Sequence, residues 1–419
     1  MIRLLVVPFV AVAALASPQT GSFTWSLSLP AHAEAGFDRF LQSLWPRVHQ
    51  LGVTRATFEA VTRGLQPDYS LPDLGLPGRP AAPPPGQPEF VQTPGQYLRE
   101  KTFDRLTARG QQLAVQYRDT LKRIEREFGV PGNVVLAIWA RETDYGGYKL
   151  PHDAIRVLAT QAYVGKRKDF FQNEFAYALK MLQDGTPRAD MRSSWGGALG
   201  LTQFLPSEYY KYGVDFDRSG RADIFRSVPD ALASAAKQLA AKGWRNGERW
   251  AYEVTAPKDA DCSLGSPDVT MPIGEWLKRG FALTGDGRRG VRLGARDLAL
   301  SASLLQPEGS YGPSFLTPKN YYVIKEYNYS DLYVLFVGHL SDRIAGASSF
   351  ATPWSKARQL KTKEVEAMQQ RLTALGLYKD KIDGKAGMLT RAALGKYQKA
   401  NGLKVDCWPT EAVLDHMRR

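Results

Sequence analysis

The sequence predicts an α+β protein, mainly helical, that ends in a small three-helix domain. Three observations carry this expectation. Helical signals run from about 96 to 244; signals from 249 to 340 are mixed, with strand-like runs at Tyr321 to Ile324 and Tyr333 to Val337; and three short amphipathic patterns follow 361. At 419 residues there is room for two or three domains, and 43% hydrophobic residues suffice for a sizeable core.

The first element expected is a signal peptide over residues 1–33. Arg3 precedes an apolar stretch from Leu4 to Ala16, too short to span a bilayer, and small-x-small cleavage sites stand at Ala14-Leu15-Ala16 and Ala31-His32-Ala33. An uncleaved anchor is the competing reading. No cysteine lies near either site, so the expectation is an exported, periplasmic chain without a lipid anchor. Phe37, Phe40, Leu41, Leu44 and Val48 then mark one helix, and Val53, Phe58, Val61 and Leu65 a second. Nine of the 26 prolines fall between 67 and 94, which predicts an extended surface segment. Further helices are expected around Asp169 to Leu182 and Pro229 to Lys242. Residues 345–361 read as a linker of small and basic residues, and 362–419 as the C-terminal domain. Its helices are marked by Val365, Met368, Leu372 and Leu375, by Leu389, Ala393 and Tyr397, and by Val413, Leu414 and Met417.

One carboxylate stands out. Pro131 and Gly132 break the preceding segment, Asn133 can cap the next helix, and Val134 through Ala140 is an unbroken apolar run ending before Gly146-Gly147. At helical spacing Glu142 shares a face with Val135, Ile138 and Trp139. Desolvation there raises a glutamate pKa towards what a general acid near pH 7 needs, which is glycoside-cleaving chemistry. The bland alternative is a structural helix-end glutamate paired with Arg141 or a lysine. Asp144, the nearest carboxylate in sequence, is rotated by about 200° on an ideal helix and should face away.

Other chemistries are poorly represented. The formal charge of +13 calls for an anionic partner, but no dense Lys/Arg block interleaved with aromatics favours nucleic acid. The five histidines are scattered, without an H-E-x-x-H pair, and neither a G-x-S-x-G elbow nor a phosphate loop occurs. Cys262 and Cys407 lie in different expected domains; a disulfide between them and two buried thiols are both open. Asp215, Asp217, Ser219, Gly220, Arg221 and Asp223 fit positions 1, 3, 5, 6, 7 and 9 of a calcium loop, although Arg226 takes the place of the bidentate glutamate. A solvated acidic turn is the alternative.

Several motifs carry a family resemblance. Ala137, Ile138, Glu142, Thr143, Tyr145 and Gly146 match A-I-x-x-x-E-T-x-Y-G. Ser194, Gly197, Ala198, Gly200, Gln203, Phe204, Pro206 and Ser207 match S-x-x-G-A-x-G-x-x-Q-F-x-P-S, and Tyr327, Asn328, Ser330 and Tyr333 match a third motif. On these the chain from about Ala35 to Ile344 resembles the membrane-bound lytic transglycosylase B family, glycoside hydrolase family 103. The C-terminal domain resembles the peptidoglycan-binding type 1 family through Leu372 to Tyr378, Ile382-Asp383-Gly384, Gly387, Thr390-Arg391-Ala392-Ala393, Tyr397-Gln398 and Gly402-Leu403. It departs at Tyr397, where phenylalanine is usual, and at Asp406-Cys407.

The resemblance implies a lysozyme-like catalytic domain over 34–344, with the 67–94 segment lying against it. It implies Glu142 as sole acid and base, with Ser194, Gln203, Tyr327, Asn328 and Tyr333 binding the sugars. The implied reaction cleaves the β-1,4 bond between N-acetylmuramic acid and N-acetylglucosamine and closes a 1,6-anhydro ring; a lysozyme-like hydrolase and a non-catalytic wall-binding protein are the alternatives. Trp195 and Tyr145 either stack on sugars or pack. Peptidoglycan strands are the implied partner, with room for other cell-wall enzymes, and the chain is expected to be a monomer. No cofactor is required. A structural calcium is allowed by Asp215, Asp217, Ser219, Arg221 and a later ligand that the resemblance places at Asp230.

Overall fold

The structure, a computed structural model, describes residues 31–76, 92–284, 293–355, 358 and 360–419. Most of the signal-peptide expectation (1–30) and the middle of the proline-rich segment (77–91) lie outside the described residues.

Two helical layers meet at the motif-bearing region. In the first, helices Ala31–Ser43, Trp45–Gln50 and Arg55–Thr62 pack on helices Ala154–Val164 and Lys168–Gln183. Phe37, Leu41, Val48 and Phe58 close on Ile155, Leu158, Phe171 and Phe175. Hydroxyl and carboxylate caps set the entries: Thr54 accepts from Thr57 N–H, and Asp153 from Arg156 N–H. The start of the proline-rich segment, residues 67–76, lies on this layer. Leu71 and Leu74 pack on Val157, and Gly75 N–H donates to the Val164 carbonyl at 2.7 Å.

The second layer is built around helix Gly132–Thr143. It packs against Glu100–Gln116, Arg118–Phe128, Val228–Ala241 and above all Asp331–Ile344. Asn133 lies inside the helix rather than capping it, and its amide donates to the Ser341 carbonyl at 2.9 Å. The strand-like runs at 321–324 and 333–337 are corrected to helix, in Lys319–Lys325 and Asp331–Ile344. Both are short apolar runs buried on all sides, and burial erases the periodicity that separates helix from strand.

Strands fall elsewhere in the mixed region. β1 (His152–Asp153) pairs with β2 (Arg192–Ser193). β3 (Tyr252–Thr255), β4 (Thr270–Pro272), β5 (Ala282–Leu283), β6 (Ser301–Leu305) and β7 (Ser314–Thr317) form an antiparallel sheet ordered β4-β6-β7-β3-β5. Val254 opposes Ser314, and Leu304 opposes Leu316. Trp276, buried beneath the sheet, donates its indole N–H to the Ala302 carbonyl.

Helices Thr362–Ala374, Met388–Ala400 and Glu411–Arg418 form the C-terminal domain around Met368, Leu372, Leu394 and Met417. Gln369 is its polar hub: its amide nitrogen donates to Asp383, the Lys385 carbonyl and Thr390, and its oxygen accepts from Asp383 and Gly384 N–H. Cys262 and Cys407 form a disulfide, closing the alternative that sequence left open. Asp331 and Arg391 pair at 3.3 Å across the same boundary, with side chains 11% and 8% exposed. The 345–361 stretch, expected as a linker, runs along the larger body: Phe350 and Trp354 pack on its core, and Glu253 accepts from the Ala351 and Thr352 N–H groups.

Candidate active site

Glu142 occupies the last turn of helix Gly132–Thr143, whose residues Val134 to Ala140 are all buried. The helix stops because Asp144, Tyr145 and Gly146 all take left-handed backbone, at φ of 52°, 57° and 80°. That stop brings the half-buried Glu142 carboxyl to the edge of a groove of about 670 Å³ lined by Tyr97, Arg99, Arg105, Arg141, Tyr148 and Phe336. Asp144 lines the same groove. The sequence expectation that it faces away assumed continuing helix; the left-handed turn redirects it, and Arg105 holds its carboxylate at 2.8 and 3.1 Å.

The third motif closes over the acid from helix Asp331–Ile344. Tyr333, 1% exposed, donates its hydroxyl to Glu142 Oε1 at 2.5 Å. Its pKa is pushed well above the ordinary phenol value, first by burial and then by the neighbouring Glu142 charge, so it stays a donor. Tyr327 stacks parallel on Tyr333 with ring centroids 6.3 Å apart, and its own phenol is likewise pushed up by burial and by Glu142. Asn328 Oδ1 accepts from Ser330 N–H, and the Ser330 hydroxyl in turn caps the helix.

The glycine-rich second motif is docked on the helix end by the residue after the acid. Thr143 Oγ1 donates to the Leu201 carbonyl at 2.7 Å and accepts from Gly146 N–H at 3.2 Å. Tyr327 adds a second tie, its hydroxyl donating to the Thr202 carbonyl at 2.6 Å. Within the turn, Gly200 has φ 71° and approaches so closely that a Cβ would stand 2.6 Å from the Ile224 carbonyl. Gln203, also left-handed, donates its amide to the Gly200 carbonyl, and Ser194 Oγ accepts from Ala198 N–H. Ser194 and Gln203 are both half-buried. The structure thus bonds Tyr333 to Glu142, stacks Tyr327 on Tyr333, and sets Ser194 and Gln203 in a turn fixed to the same helix end. Trp195 packs on the Leu71–Leu74 cluster, and Tyr145 sits edge-on to Trp139 with its hydroxyl on the Leu106 carbonyl.

Sequence reasoning missed the opposite wall. Arg141, weighed only as a partner for Glu142, donates Nε–H to the Tyr97 hydroxyl at 2.7 Å and lies over the rings of Tyr97, Tyr333 and Phe336. Tyr97 comes from the short helix Pro94–Tyr97 that ends the proline-rich segment, where no local signal announced it.

At the acidic loop, carboxylate oxygens of Asp215, Asp217 and Asp230 lie within 4.8 Å of one another. Gly220, at φ 104°, makes the sharp turn, and the Arg221 carbonyl accepts from Ser219 Oγ. Arg226, the residue at odds with a calcium loop, turns out to an ion pair with Asp190, while the wholly buried Asp230 comes in from the following helix. The donor set of hard oxygens fits calcium.

Comparison with known proteins adds an independent observation. Residues 36–342 match the family model described as a transglycosylase SLT domain, and 361–417 match that of a peptidoglycan binding domain. Over 237 residues the chain is 28% identical to the membrane-bound lytic murein transglycosylase B of Escherichia coli, a match spanning 55% of this chain and 61% of that relative. The chain thus spans less than two thirds of that curated relative's length. SltB3 from Pseudomonas aeruginosa, solved in complex with NAG-anhNAM-pentapeptide, is 34% identical with a TM-score of 0.80, over 91% of this chain and 99% of that one. The Escherichia coli lytic transglycosylase Slt35 in complex with calcium is 26% identical with a TM-score of 0.51, over 61% of this chain and 80% of that one.

Proposed function

The chain belongs to the transglycosylase SLT-domain family, and from that premise we propose that it is a lytic transglycosylase of peptidoglycan. It cleaves the β-1,4 bond between N-acetylmuramic acid and N-acetylglucosamine and leaves a 1,6-anhydro-N-acetylmuramic acid end. The observation that carries this reading is the pairing of one half-buried carboxyl with a permanently protonated Tyr333, beside an Asp144 already neutralised by Arg105.

An acid that first gives and then takes a proton needs both states within reach. The Glu142 carboxyl is half-buried, and the Tyr333 hydroxyl donates to its Oε1. Tyr333 holds Oε1, and the Glu142 carboxyl is assigned the exchanging proton. Glu142 protonates the glycosidic oxygen as the bond to muramic acid C1 breaks, the substrate's N-acetyl oxygen supporting C1. It then takes the proton of the C6 hydroxyl, whose oxygen bonds to C1. The ring closes, no water is consumed, and the carboxylic acid is restored. Substrate assistance removes the need for a second carboxylate. Asn328, the Ser194 hydroxyl proton and the Gln203 amide oxygen are assigned to orienting the acetamido and hydroxyl groups, with Tyr327 buttressing Tyr333.

Residues 34–344 are the catalytic domain in this reading, and 362–419 bind the wall across the short 345–361 connection. Export to the periplasm and the excess of 13 positive charges suit an anionic wall polymer. Asp215, Asp217, Ser219, the Arg221 carbonyl and Asp230 would hold a calcium ion that braces the loop before helix Val228–Ala241. Because Asp144 shares the groove, a lysozyme-like hydrolysis is the second reading, with reducing ends as its products.

Digestion of purified sacculi decides between them. Wild type should release anhydro-ended muropeptides, and Glu142→Gln should release none while keeping its thermal midpoint; reducing ends would sink the first reading.

A further inference from the structure

We propose that Arg99 is a carboxylate-binding residue of the substrate groove, selecting the anionic appendages of the glycan rather than its sugars. This rests on the reading of function given above. Arg99 stands just before helix Glu100–Gln116, exposed, and its Nε–H donates to the Gln96 carbonyl at 2.7 Å. That bond fixes the guanidinium plane. Among the described residues its two Nη atoms make neither hydrogen bond nor ion pair, so their parallel donors remain available for one acceptor.

The neighbouring charges are spent. Arg105 is held by Asp144, Arg141 donates to Tyr97 among three aromatic rings, and Glu100 is neutralised by Arg343 at 2.9 Å. Position adds to charge. Arg99 and Gln96 line both the groove of Glu142 and an adjoining groove that runs beside Ser349 to Ser355. The Arg99 cation, unpaired among the described residues, therefore sits where the reacting groove continues into its extension.

A chain of N-acetylated sugars is neutral and would be served by neutral donors. Its negative charge sits on carboxylates, on the peptide stem where that is attached and on the lactyl ether where the stem has been removed. A planar guanidinium pairs with a carboxylate through two parallel N–H bonds, a geometry that hydroxyl groups do not match.

The test uses the full chain and three ligands: strands bearing peptide stems, strands stripped of stems by an amidase, and stripped strands with the lactyl carboxylate methyl-esterified. Binding is measured by calorimetry on Glu142→Gln protein, so that it reports on Arg99 whether or not the proposed reaction occurs. With Arg99 intact, at least one carboxylate-bearing ligand should bind about tenfold more tightly than the esterified one, the order expected of a charge-assisted pair. Which ligand shows the preference identifies the source of the carboxylate. Adding Arg99→Gln should bring the ratio close to one, and adding Arg99→Lys should restore part of it. Equal binding of all three by the protein with Arg99, or a ratio that survives Arg99→Gln, would overturn the proposal.

Discussion

Tyr333 donates its hydroxyl to one oxygen of Glu142, and burial keeps that hydroxyl protonated. Tyr333→Phe removes the bond without changing the ring. We expect kcat on soluble glycan strands to fall by roughly 10- to 100-fold, the scale of losing one positioning hydrogen bond, with a stability loss of about 1 kcal/mol. A steady-state assay paired with a melting curve checks it; an unchanged kcat would remove Tyr333 from the mechanism. At this scale the sequence was informative where chemistry is local. Helical spacing placed Glu142 on the inner edge of its helix, and the motif resemblance named Tyr333 before any distance was known. It failed at Asp144, since an ideal helix was extended through residues that turn left-handed. Arg141 and Tyr97 were missed because their meeting spans 44 positions of sequence.

Helix Asp331–Ile344 is the element that joins stability to the site. It carries Tyr333 and also His339, 4% exposed, which stacks on Phe350 and meets Phe103 edge-on, with Nε2 lacking a partner among the described residues. Burial, and secondarily the Arg343 charge, push the His339 pKa down to about 3. The unfolded chain, with an ordinary histidine pKa near ~6.5, therefore takes up a proton that the folded chain refuses. His339 thus subtracts stability as pH falls from about 6.5 towards 3, by up to about 1.4 kcal/mol per pH unit. Urea unfolding of wild type and His339→Gln between pH 7 and pH 4 should show the variant with the shallower slope, by about 1 kcal/mol per unit averaged over that range; equal slopes would mean the imidazole is free to protonate in place. The helix was misread as partly strand for the same reason that it traps a neutral histidine. It is buried on every side, so it carries neither an amphipathic stripe nor ready access for solvent.

In the whole molecule the C-terminal domain is locked onto the larger body. The Cys262–Cys407 disulfide spans 145 residues, Lys399 pairs with Asp261, Tyr311 donates to Asp406, and the buried Asp331 is held well below the usual carboxylate range, against its own burial, by Lys325 and Arg391. Asp331 adds stability above its unfolded pKa that is lost only in strong acid. Replacing both cysteines by alanine should cost about 3–5 kcal/mol by the chain-entropy argument, read as a lower melting temperature. A midpoint unmoved by the double substitution, or by reduction of the wild type, would show that the non-covalent contacts suffice. The helices before 244, the C-terminal fold and the acidic loop were legible in sequence, being patterns within single segments, whereas the strands of the mixed region were not. The disulfide and the Asp331–Arg391 pair were not, because a distance between remote segments leaves no periodic trace. If a single carboxyl closes a ring instead of admitting water, no solvent oxygen enters the product. Digestion of sacculi in water enriched in heavy oxygen, with product masses read by mass spectrometry, distinguishes the two. Anhydro ends without heavy oxygen are expected; reducing ends carrying the label would show that water attacks C1 and that the ring does not close.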